Sequence, residues 1–110
     1  MKTITWDTNI NGKLACGRFP HIDLAPTRMP SLQELDSTVI LIRVADGSHE
    51  PVQVKIDSIV PLPLTRLSNV HTWPSHGMDT ASFIEMQHLK KQVSKETQFA
   101  VYYYRKVDVN

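Results

Sequence analysis

The residues best equipped for chemistry fall in two short segments. Gly12-Lys13-Leu14-Ala15-Cys16-Gly17-Arg18 brings an amine, a thiol and a guanidinium close together in the chain. The rigid fork of Arg18 suits a phosphate or a carbonyl, and Lys13 supplies a second cation. In that positive neighbourhood the thiol of Cys16 is activated as a nucleophile. The same residues also fit a plainer reading, in which Lys13 and Arg18 are solvated charges and Cys16 is a small buried hydrophobe. On a regular strand Lys13 points away from Cys16 and Arg18, so the three converge only across a bulge or bend. The second segment is His71-Thr72-Trp73-Pro74-Ser75-His76-Gly77. An exposed Trp73, flanked by His71, suits stacking on a base, a contact worth about 1 to 3 kcal/mol. His76 titrates near neutrality and suits acid or base work. In the alternative reading Trp73 plugs one end of the fold and the histidines bond to loop backbone.

Three further groups carry weaker signals. In Tyr102-Tyr103-Tyr104, alternation places Tyr103 on one sheet face as a stacking platform, or else the three serve packing. His21, Asp23, Thr27 and Arg28 lie in a loop bounded by Pro20 and Pro30 and suit a lid, with Arg28 a contact for a nucleotide. Lys90, Lys91 and the stretch 94–96 read as a solvated helix end. His71 and His76 stand five apart with no cysteine nearby, which does not make a zinc site, so no metal and no cofactor is expected. The single cysteine, Cys16, also excludes an internal disulfide. There is no phosphate-binding glycine loop, no dinucleotide fingerprint, no His-Glu-x-x-His and no Gly-x-Ser-x-Gly.

The elements that must position these groups follow from periodicity. Residues 1–6 alternate and predict a half-buried strand, with Ile4 and Trp6 on one side. Asn9, Asn11 and Gly12 then turn the chain into an extended stretch, 13–19, which Pro20 ends. The spacing Ser31-Leu32-Gln33-Glu34 predicts a capped helix of a turn or two. Residues 38–44 predict a strand buried on both faces, paired antiparallel with an alternating strand at 52–59. A short helix is expected over 65–70, an irregular segment over 73–77, and an amphipathic helix from Asp79 to about Val93. Met78 and Phe83 occupy the staple positions of that helix, with Phe83, Met86, Leu89 and Val93 on its buried face. Residues 97–107 form the last strand.

One domain is expected from 110 residues, 41% of them hydrophobic and 21% charged. A net charge of +1 disfavours a protein that grips long duplexes. No apolar run approaches the roughly 20 residues that span a bilayer, and the N-terminus has no secretory pattern. The expected location is therefore the cytoplasm.

The order of motifs in the second half resembles the ASCH domains, small members of the PUA-like superfamily. The residues that carry the likeness are Val54, Ile56, Ile59, Leu64, Leu67, His71, Leu89-Lys90-Lys91, Thr97-Gln98-Phe99 and Val101. It covers about 38–107. Gly12, Lys13 and Arg18 match the Gly-Lys-x-x-Thr-x-Arg signature of that family, with Cys16 where the Thr stands. His76 or Ser75 stands nearest the place of a Glu. The resemblance implies a single α+β domain built on a mostly antiparallel, closed or nearly closed β-barrel with flanking helices. It implies binding of RNA or a modified nucleoside in a cleft between a 13–18 strand and the 71–77 segment. Arg18, Arg28, His71, Trp73 and Tyr103 are the expected binding residues. The alternative it implies is an amidohydrolase acting on N4-acetylcytidine-like nucleosides, with Lys13, Cys16 and His76 catalytic. A third reading, from another class, is a small phage or mobile-element protein-interaction module that docks a partner through Trp73 and the proline loop.

Overall fold

A computed structural model describes residues 2–91 and 96–107, the side chains of 88–91 excepted. Five strands form one mixed sheet in the order β1-β3-β4-β5-β2: β1 (Lys2–Trp6), β2 (Arg18–Leu24), β3 (Ile40–Val44), β4 (Val52–Pro63) and β5 (Gln98–Lys106). The β1/β3 pair is parallel and the other three are antiparallel. The helices are α1 (Leu32–Ser37), α2 (Asn69–His76) and α3 (Thr80–Lys91), with 3-10 turns at Ile10–Ala15 and Leu64–Arg66.

The α+β class stands, but the sheet is open, which corrects the expected barrel. Closure requires a hydrogen-bonded ladder between the edge strands. Here β1 pairs with β3, β2 pairs with β5, and no ladder joins β1 to β2. The backbone N–H of Ile22, which a closing strand would take up, is accepted by Ser75 Oγ at 2.8 Å. Side chains bridge the seam instead: the Trp6 ring of β1 stacks on His21 of β2 at 4.4 Å and meets Phe19 edge-on at 6.1 Å.

Two cores lie on the two faces of this sheet. Trp6, Leu14, Phe19, Ile40, Ile42, Val52, Val54 and Tyr104 fill one. Ile22, Leu67, Phe83, Phe99 and Val101 fill the other. A register shift between Ile56 and Ser58 lets β4 serve both. The bulge inverts the alternation, so Val52 and Val54 face the first core while Leu62 packs on the second.

Several local expectations change. The stretch 13–19 is not one strand: Ile10–Ala15 is a pair of 3-10 turns kinked at Asn11 and Gly12, whose φ angles are 59° and 64°. Pro20 does not end the following strand, because β2 continues through it to Leu24. An edge strand has no ladder partner on its outer side, so the missing N–H of Pro20 costs it nothing there. The strand expected to be buried on both faces alternates instead, with Ile40 and Ile42 buried and Arg43 exposed. The segment 73–77 is helical to His76, and Gly77 ends it in the left-handed region at φ 68°. Asp79 caps α3 as expected, its Oδ1 accepting from Ser82 N at 2.7 Å. Phe83 is fully buried and Met86 and Met78 pack near it. Of the stripe read from sequence, the Leu89 side chain and Val93 lie outside the described residues, as do the side chains of Lys90 and Lys91 and residues 94–95.

Candidate functional site

The seam between β1 and β2 opens into a cavity of about 550 Å³. Its walls come from the end of β1 and the turn after it (Trp6, Asn9, Asn11), from β2 (His21, Asp23) and from His76. Met78, Met86 and Gln87 close it from the α3 side. At the opened edge of a sheet no backbone ladder competes for the space, so side chains alone shape the cavity.

Lys13 stands immediately behind this wall and is not part of the cavity lining. The left-handed pair Asn11-Gly12 turns the chain so that Lys13 enters the interior, where it is 3% exposed. Its Nζ donates to the Ser75 carbonyl at 2.6 Å and lies 2.7 Å from His21 Nδ1. The Trp6 ring lies 4.9 Å below it, a favourable cation–π position. No carboxylate pairs with this amine among the described residues. Desolvation by burial therefore lowers its pKa from the ordinary 10.5 to about 7. An amine poised there exchanges protons readily at neutral pH.

Ser75 ties the site together. Besides accepting from Lys13 and Ile22, it lies 2.6 Å from His76 Nδ1 through Oγ. The same hydroxyl thus joins the β2 edge at Ile22 to the His76 ring. The rings of His21 and His76 then stack at 5.0 Å, and His76 meets Phe83 edge-on at 4.9 Å. Trp6, His21, His76 and Phe83 thus form a continuous run of rings from β1 to α3. Asn11 fastens α2 beneath them, donating to the carbonyls of Trp73 and Pro74 at 3.0 and 3.3 Å.

Of the residues singled out from sequence, the fold brings together Lys13 and His76 and adds His21. Cys16 is exposed and outside the cavity. Arg18 is exposed and lies 4.0 Å from Asp57. Arg28 pairs with Glu34 at 3.1 Å beside a second, smaller cavity of about 280 Å³. His71 Nδ1 accepts from Ser68 N at 3.2 Å and so acts as a helix cap. Trp73 is 52% exposed on α2, and Tyr103 is exposed on β5. Trp6 and Gln87 escaped the sequence reading as site residues, and Ser75 entered it only as an alternative to His76 at the place of a Glu. The only signal for Gln87 is its position four residues after Phe83, on the helix stripe that must be buried.

No family model matches this sequence, and no curated protein is similar to it. Among solved structures it is similar to protein EF3133 from Enterococcus faecalis V583, family-model DUF984, with a TM-score of 0.61. The likeness covers 100% of this chain and 83% of that chain at 11% identity. At that identity it shows a shared fold and nothing about chemistry. No helix among the described residues is long and apolar enough to cross a membrane.

Proposed function

We propose that this chain is an ASCH-like domain of the cytoplasm that binds RNA or a modified nucleoside, taking one base into the cavity between β1 and β2. The observation that carries the reading is the run of rings Trp6, His21 and His76 along a cavity of about 550 Å³. Small-molecule sites occupy roughly 300 to 1,000 Å³ and combine apolar walls with a few placed polar groups, and this cavity has both. Rings along the wall give the cavity flat apolar sides against which a planar base packs. The resemblance to ASCH domains in the second half supports the same ligand class.

A second reading, amide hydrolysis on an N4-acetylcytidine-like nucleoside, is favoured by the contact between Lys13 and His21 at 2.7 Å, which connects a neutral-range amine behind the wall to a ring that lines the cavity. Water then adds to the acyl carbon, the bond from that carbon to N4 breaks, and the leaving nitrogen takes the proton the water gives up. Water is the nucleophile because Cys16 lies outside the cavity.

Cytidine, N4-acetylcytidine and a short single-stranded RNA, each titrated into labelled protein and followed by NMR amide shifts, test both readings. Shifts clustered at residues 5–11, 21–23 and 76–78 are expected, and conversion of N4-acetylcytidine to cytidine and acetate would establish turnover. A spectrum unmoved by all three refutes the nucleic-acid reading and favours the protein-interaction module.

A further inference from the structure

Helix α3 sends one stripe into the interior. Phe83 is fully buried, and one turn later Gln87 is 6% exposed, with half-buried Ile84 and Met86 beside them. An apolar residue at this i+4 position would extend the core without polar atoms to satisfy. Glutamine is seldom buried, and its amide carries two donors and an acceptor. Among the described residues nothing hydrogen-bonds to that amide. No fully shielded side-chain polar atom is without a partner in the described structure. The unpaired amide atoms of Gln87 are therefore accessible, and the space they reach is the cavity that Gln87 lines together with His21, His76 and Met86.

We infer that Gln87 is the residue that selects the ligand, its amide reading an edge that offers a donor beside an acceptor, as the pairing edge of a pyrimidine does. The inference rests on the nucleobase reading above. In cytosine the exocyclic amino group would donate to the amide oxygen while the amide N–H donates to the ring nitrogen. The rings of Trp6, His21 and His76 and the Gln87 amide line the same cavity, so the amide fixes how a base is turned against that wall. A glutamine at this core position forgoes the apolar burial that a side chain of the same volume would contribute, so it does not raise the stability of the empty protein.

The test is Gln87→Met, which conserves volume while removing both hydrogen-bonding functions. Two measurements are compared with wild type: cytidine affinity by calorimetry and the melting temperature without ligand. The expected result is affinity weakened about tenfold or more, each tenfold being one good hydrogen bond of about 1.4 kcal/mol. The empty variant is expected to melt at or above the wild-type temperature. Unchanged cytidine affinity overturns the inference. So does a ligand-free melting temperature lower by about 4 °C or more, a fall that would make the amide a structural group. Absence of cytidine binding by the wild-type protein overturns the proposed edge, and absence of binding by N4-acetylcytidine and the short RNA as well overturns the nucleobase reading itself.

Discussion

Lys13 offers the sharpest physical test, because its burial ties stability to pH in an unusual direction. In the unfolded chain the amine titrates at 10.5, and in the folded protein at about 7. Below pH 7 both states carry the proton, and the folded state bears the whole cost of a buried cation. Between pH 7 and 10.5 the unfolded state binds more protons than the folded one, so stability rises with pH. At about 1.36 kcal/mol per unit, the gain between pH 7 and 9.5 is about 3 kcal/mol. Lys13→Met abolishes that gain. Absolute stability is a poor readout, because the substitution also removes the donor to the Ser75 carbonyl and the hydrogen-bond partner of His21 Nδ1, at about 1 to 3 kcal/mol per group. The difference in slope isolates the amine. Urea unfolding followed by tryptophan fluorescence, with Trp6 buried as a reporter, gives it directly at several pH values. Tyr104 and Tyr102, whose phenols burial pushes up, lower stability only as pH passes the ordinary phenol range near about 10. They are present in both proteins, and pH 9.5 is a safe upper limit. Stability curves for the two proteins that run parallel within about 1 kcal/mol would refute a buried, desolvated amine at this position.

Two further outcomes follow from the site's geometry. Gly77→Ala places a Cβ 2.7 Å from Asn11 Oδ1 at a residue with φ 68°, so it displaces the side chain that fastens α2. The left-handed strain alone costs about 1 to 2 kcal/mol, and thermal unfolding at the wild-type temperature would contradict it. Alkylation of Cys16, which is exposed and outside the cavity, is expected to leave cytidine affinity unchanged within about twofold, and a loss of about tenfold would return the thiol to the site.

What could be read from the chain was local. The alternation of β1 and β4, the Ser31 cap on α1, the Asp79 cap on α3 and the Met78 and Phe83 staple all depend on residues within a turn or two of one another. Short-range sterics and hydrogen bonding decide them, and they stand. Pro74 read as a breaker because its missing N–H removes one helical bond. Yet α2 continues past it, closed by Gly77 and held by Asn11 from a distant turn. The barrel failed for a similar reason: closure depends on whether two edge strands meet, and Ser75, 53 residues along the chain from Ile22, takes the N–H that decides it. Lys13, His21 and Ser75 come from a 3-10 turn, an edge strand and a helix, and no periodicity links them. Burial of the amine among them, and with it the poise of the site, arises only when those elements pack, because desolvation is a property of the assembled interior and not of any local pattern.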